Sequence, residues 1–300
     1  MTSLLAIISV LAFGSPILVK AQDPKTINLP LTLVHGDGGQ GPVYLANISI
    51  GNPPQTVTVQ VDSGSSDLWV FADQLECNVE NGCHGGSYSP NASSTFNEDL
   101  PELFKFSYGS GNSGTGDYIK DDVHIGGVTV KNFRVGLARN ATGGWPLYGL
   151  MGMSFSHGEF LVDQGYLEHE YPVLVEELAI QGHIDTPAFS QYLNDVRSQG
   201  ELLFGGVDVA KHIDEIKEFD LIANSDGNYT LIERYPDPNP PLIGGETACS
   251  FGVSPGPDGF MVLGDAFLRG AYAVHNMEKK TVGLANAKFN VTESDIRPVT

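Results

Sequence analysis

The stretch "TVTVQVDSGSSDLWVFAD", Thr56 to Asp73, constrains the fold most. Val57, Val59 and Val61 alternate with polar residues, the period-2 pattern of a half-buried strand. The pattern breaks at Asp62-Ser63-Gly64-Ser65-Ser66 and resumes apolar at Leu68-Trp69-Val70. A strand, a tight Gly/Ser turn and a second strand are therefore expected, with a carboxylate at the turn. An acid fixed between two strands suits chemistry, and raises the question of its partner. The bland alternative is an aspartate that caps a turn.

Strand texture recurs along the chain. "INLPLTLV" (27–34), "VYLANISIG" (43–51) and "TVTVQVD" (56–62) are separated by "HGDGGQG" and "NPPQ", which are turn chemistry. With Gly 36 and Pro 18 in 300 residues, β structure is favoured over helix. "ELFKFSYGSGNSGTGDYIKDDVHIGGVTV" (102–130) reads as a long hairpin whose tip carries Gly109, Gly111, Gly114 and Gly116. Such a tip is either a plain surface turn or a movable cover over a cleft. "PVLVEELAIQG" (172–182) is the clearest helix, with Val173, Val175, Leu178 and Ala179 as its apolar stripe and Gly182 as its stop. "FSQYLND" and "GELLFGGVD" return to strands. From about Ala210 the chain turns polar and Pro-rich with few strong strands, and order resumes at "GFMVLGDAFLRGAYAVHN" (259–276).

The net charge of -20 argues against a nucleic-acid partner, whose phosphates it would repel. Leu4 to Phe13 is an apolar run, and Val19-Lys20-Ala21 fits a signal-peptidase site, so residues 1–21 are expected to be a secretory signal. The run is far shorter than the ~20 residues of a membrane span, so no span is expected. Five N-x-[ST] triplets agree with export: Asn47, Asn91, Asn140, Asn228 and Asn290. A secreted or vacuolar glycoprotein follows. Cys77 and Cys83 enclose a short loop and are expected to pair in an oxidising compartment, with metal binding beside Glu80 and His84 as the rival. Cys249 has no partner.

The chemistry can be narrowed. There is no H-E-x-x-H and the His residues are scattered, so no metal and no cofactor are expected. No G-x-S-x-G frames a serine nucleophile. An acid/base role for the carboxylate remains. A lone Asp, pKa near ~3.9, is a feeble base. Two carboxyls at close range share a proton and titrate as a pair, so that one takes a proton from water while the other protonates a carbonyl.

At this point the sequence resembles the pepsin family of eukaryotic aspartyl proteases, from about Val43 to Phe289. "VDSGSSDLWV" is similar to the family's first active-site motif, D-[ST]-G-[ST]-S followed by L-W-V. The resemblance makes Asp62 the first catalytic aspartate, Gly64 the tight turn, and Ser65 the donor to the outer carboxylate oxygen. "YGSG" (108–111) resembles the flap. Tyr108, Gly109 and Ser110 would cover the substrate, and Trp69 would hold the Tyr108 hydroxyl. "GLMG" (149–152) resembles the segment beneath the first active-site loop, and "LLFGGVD" (202–208) the strand closing the first lobe. The family's small disulfide loop implies that Cys77 and Cys83 pair.

The second motif is missing. Only Asp62 is followed by Ser or Thr and then Gly. Asp185-Thr186-Pro187 is a near miss whose proline cannot make the glycine turn, and Asp226-Gly227 lacks the hydroxyl residue. Asp265 belongs to "LGD", which in the family neighbours the site without being catalytic. A gap of several dozen residues near Ala210 to Glu218 would remove both the second aspartate and the partner of Cys249.

The expected fold is thus all-β and bilobal, pepsin-like, with a truncated second lobe. Residues 1–21 are the signal, 22–41 a short leader or residual prosegment in which Lys25 is the sole Lys or Arg, 42–205 the first lobe and 206–300 the truncated second. The expected function is that of the aspartic endopeptidase lineage, with water activated between two Asp of which one is present. The alternative is an inactive module that binds peptide or protein. A homodimer pairing two copies of Asp62 is allowed by symmetry but would displace the residual second lobe, so a monomer acting on extended polypeptide is expected.

Overall fold

The computed structural model describes residues 25–34, 43–80, 82–144, 147–168, 170–195, 198–223, 229–231 and 264–299. The expected signal, Asn228 and Cys249 lie outside these.

The chain is built almost entirely of strands. The first are β1 (Ile27–Val34), β2 (Val43–Ile50), β3 (Gln55–Asp62), β4 (Leu68–Val79), β5 (Cys83–His84), β6 (Asn97–Ser107), β7 (Ser113–Ile125), β8 (Val128–Gly143) and β9 (Leu147–Gly152). Two short helices follow, α1 (Phe160–Asp163) and α2 (Leu174–Ile180). Then come β10 (Ala188–Tyr192), β11 (Gly200–Phe204), β12 (Gly206–Asp208), β13 (Lys217–Ala223) and β14 (Tyr229–Leu231). α3 (Asp265–Leu268) leads into β15 (Ala271–Asn276), β16 (Thr281–Asn286) and β17 (Ile296–Pro298).

Two strand systems meet at β1. Its first half, Ile27 to Leu31, pairs with β11, and its second half, Thr32 to Val34, pairs with β2. On one side the order runs β2-β3-β9-β4-β8-β7-β6, and on the other β11-β10-β15-β16-β13-β14. The range 22–41, expected as a leader, therefore contains a central strand. Its alternation explains why: Ile27, Leu29 and Leu31 are buried while Asn28 and Pro30 face out.

The alternation in β3 works the same way, with Val57 and Val59 buried in the main core. That core also takes Leu137 from β8, Phe189 from β10 and Phe204 from β11, so it runs across both strand systems. A second cluster gathers Trp69, Phe71, Phe104, Phe106, Tyr118 and Leu161. α2 buries Val175 and Leu178 against the main core, and Gly182 beyond its end takes φ of 74°. Left-handed backbone of this kind favours glycine and stops the helix.

Two expectations need correction. Gly114 and Gly116 are not in the hairpin tip but inside β7, opposite Ala141 and Ala138 of β8. A Cβ at Gly116 would sit 1.9 Å from the Leu137 carbonyl oxygen, and one at Gly114 2.4 Å from that of Asn140. These glycines permit close strand approach rather than a flexible tip. The polar stretch after Ala210 holds β13, which pairs with β16. Its sequence, KEFDLIA, alternates too weakly to stand out.

Candidate active site

Asp62 ends β3, and β9 runs parallel beside it with Asp62 opposite Gly152. The loop after Asp62 is tied to the chain that follows β9 by backbone bonds. Met153 N–H donates to the Asp62 carbonyl at 2.8 Å, and Ser154 N–H to that of Ser65 at 2.9 Å. Gly152 also donates to the Asp67 carbonyl at 3.1 Å. A Cβ on Gly152 would meet the Ser66 carbonyl carbon at 2.4 Å, so glycine alone lets the loop lie this close. "GLMG" thus underlies the loop.

The Asp62 carboxylate accepts two hydrogen bonds. Gly64 N–H donates to Oδ1 at 2.9 Å, and Ser65 Oγ–H to Oδ2 at 2.7 Å. Both donors come from its own turn, which fixes the carboxylate plane. Asp62 is half-buried.

Tyr108 stands across from this turn, at the tip between β6 and β7. Its backbone N–H donates to Asn112 O at 2.9 Å, and its carbonyl accepts from Gly111 N–H at 2.8 Å. Gly111 has φ of 86° and Gly109 is exposed, as is Ser110, whose Oγ accepts weakly from Asn112 N–H at 3.5 Å. Trp69 Nε1–H donates to the Tyr108 hydroxyl at 2.7 Å. Trp69 itself is 1% exposed, stacked on Phe106 with ring centroids 4.4 Å apart. Burial pushes the Tyr108 phenol upward, and the charges of Asp62 and Asp67 push the same way. The hydroxyl is therefore a permanent neutral hydrogen-bonding group. Ser65, Asp67, Trp69, Phe106, Tyr108 and Phe160 line a pocket of about 190 Å³ between turn and hairpin.

Asp265, at the start of α3, is the carboxyl whose titration feels Asp62. Burial pushes it up to about 6, Arg269 opposes the shift, and the Asp62 charge adds to it. Cys77 and Cys83 are joined by a disulfide, Sγ–Sγ 2.09 Å, between the end of β4 and β5. Of the glycosylation triplets, Asn47, Asn91 and Asn290 are exposed. Asn140 is half-buried, and its Nδ2 donates to Thr115 Oγ1 at 2.6 Å.

Sequence reasoning missed a second set of polar groups at this pocket. Asp67 accepts from Tyr118 and Tyr171 hydroxyls, both at 3.1 Å to Oδ1, and from Phe160 N–H at 2.9 Å to Oδ2. Glu159 lies alongside, 2% exposed. Asp67 stands within the opening motif, but its partners are far along the chain and no local pattern points to them.

The chain is similar to known proteins. The family model described as "Eukaryotic aspartyl protease" matches residues 43–232 and 242–287. A probable aspartic-type endopeptidase OPSB of Trichophyton verrucosum is 26% identical over 382 aligned positions, covering 94% of this chain and 75% of that protein. Candidapepsin of Candida tropicalis is 29% identical, covering 91% and 84%. Secreted aspartic protease 8 of Candida albicans is 27% identical, covering 85% and 78%. The crystal structure of the aspartic proteinase from Irpex lacteus superposes with a TM-score of 0.64 at 18% identity, over 90% of this chain and all of that one. That likeness establishes a pepsin-like fold. With the family model spanning most of the sequence, the chain belongs to the eukaryotic aspartyl protease family.

Proposed function

We propose that Asp62 is one of the two carboxyls with which an aspartic-type endopeptidase activates water, and that the substrate is an extended polypeptide held beneath Tyr108. The carrying observation is the Asp62 carboxylate fixed by Gly64 and Ser65, opposite a tyrosine anchored by Trp69. In such a pair one carboxylate takes the proton of water and the other gives a proton to the scissile carbonyl. Asp62 can fill either role only with a partner.

A specific observation favours a second reading for the 300 residues by themselves. No other Asp is followed by Ser or Thr and Gly. The Trichophyton alignment has more positions than this chain has residues, so it leaves gaps in the chain, as a lost segment would. On this reading the chain binds peptide without cutting it. The lobes are proposed as 42–205 and 206–300, with β10 and β11 of the first pairing into the strands of the second through β15. Export is supported by the secreted relative and by the apolar N-terminal run. Asn47, Asn91 and Asn290 are then the exposed glycan acceptors, and a vacuolar destination is the alternative.

Pepstatin binding at acidic pH, followed by calorimetry, tests the role of Asp62. The parent chain should bind, and Asp62→Asn should weaken binding about tenfold or more, the loss of one charge-assisted hydrogen bond of ~1.5–3 kcal/mol. Equal affinity in the two would remove Asp62 from the site. The gene sequence across Ala210 to Phe219 tests the missing segment. An in-frame stretch there with D-[ST]-G and a cysteine would supply the second carboxyl.

A further inference from the structure

We propose that half-buried Asp67 and buried Glu159 form a second carboxyl pair that holds one proton, on Glu159, and that this proton fastens the pocket wall beneath Tyr108 to the Asp62 loop. The pair is distinct from the water-activating site and does not depend on whether the chain cuts peptides.

The geometry ties both carboxyls to one segment. Phe160, the residue after Glu159, donates its N–H to Asp67 Oδ2. Tyr171 bridges the two groups: its hydroxyl donates to Asp67 Oδ1 at 3.1 Å and its N–H to Glu159 Oε2 at 3.4 Å. Phe160 lines the pocket with Ser65 and Tyr108. Phe160 and Tyr171 are therefore pinned to the loop of Asp62 through Asp67.

The charge balance decides where the proton sits. Asp67 has three donors, all of which favour its anion. Among the described residues the Glu159 carboxyl accepts one long bond, from Tyr171 N–H at 3.4 Å. The facing groups are Tyr118 of β7, Arg134 of β8, Tyr171, and Glu176 of α2. Tyr108 at the hairpin tip also feels Asp67. Arg134 is the cation of the group, but its Nε donates to Asp99 of β6 at 2.5 Å, while its guanidinium lies 4.2 Å over the Tyr171 ring. Lys120 of β7 also pairs with Asp99, at 3.2 Å. Among the described residues no cation is dedicated to the pair, and two adjacent anions so poorly solvated cannot both persist. Burial first, then the Asp67 charge, raises Glu159 to about 10.

The sign of the pH effect follows. The folded chain keeps a proton on Glu159 that the unfolded chain releases above 4.5. This contribution to stability is complete below 4.5 and declines as pH rises towards about 10. The raised Asp67, Glu176 and Asp265 act in the same direction.

The test is Tm against pH, from about pH 5 to about pH 9, for the full chain and for Glu159→Gln. Glutamine keeps the shape and cannot ionise. The parent Tm should fall across this range, and the fall should be clearly smaller in the variant. An equal fall in both overturns the proposal, since a purely structural Glu159 would leave the pH slope unmoved. If the variant does not fold, the infrared spectrum of the parent decides. A carboxyl still un-ionised at about pH 8 supports the proposal, and its absence overturns it.

Discussion

Gly116→Ala is expected to destabilise the chain by on the order of 3 kcal/mol or more, lowering Tm by roughly 6–12 °C. The added methyl would lie 1.9 Å from the Leu137 carbonyl oxygen, 2.9 Å from its carbon and 3.0 Å from Ala138 Cα. These are backbone atoms of β8, which cannot rotate away as a side chain would. β7 must separate from β8, and the register there already shifts between Thr115 and Gly116. The same movement would disturb Phe104, which pairs with Gly116 from β6 and packs on Trp69. Gly109→Ala is the control: nothing lies within 4 Å of a Cβ at Gly109, and little change is expected. Thermal unfolding followed by circular dichroism measures both. A Gly116→Ala chain as stable as the parent would mean that β7 and β8 are further apart than described.

Trp69→Ala is expected to cost about 3–5 kcal/mol and to weaken ligand binding at the same time. The indole is buried among Phe71, Phe104 and Phe106, so its removal leaves a cavity in the second core cluster. It also frees the Tyr108 hydroxyl, whose bond from Nε1 fixes the hairpin tip over the Asp62 turn. Trp69→Phe separates the effects. It keeps most of the packing and loses the hydrogen bond, a net ~0.5–1.5 kcal/mol. Urea unfolding and pepstatin titration should show Trp69→Phe nearer the parent in stability than in affinity. Equal affinity in all three chains would show that the Trp69–Tyr108 bond does not hold the tip.

Much of this was legible locally. Period-2 burial in β1 and β3 can be read from the valines, leucines and isoleucines themselves. The turn at Asp62 is written in Gly64 and Ser65, both of whose bonds to Asp62 span three residues or fewer. What failed was non-local. Gly114 and Gly116 look like tip residues until β8 is seen against them. β13 is recognisable only once β16 is beside it. Asp67 and Glu159 are neighbours because α1 folds back on the Asp62 loop, a contact between residues 93 positions apart at Phe160. Alternation and turn chemistry carry no record of such pairings.

The central claim is that Asp62 is half of a two-carboxyl site whose other half these 300 residues do not carry in a D-[ST]-G turn. Hydrolysis of a denatured protein at acidic pH by the purified chain, beside Asp62→Ala, measures this directly. No turnover above that of Asp62→Ala is expected. Turnover that pepstatin blocks and Asp62→Ala abolishes would contradict it. The second carboxyl would then lie elsewhere in the chain, and Asp265, whose titration already feels Asp62, would be the first to replace.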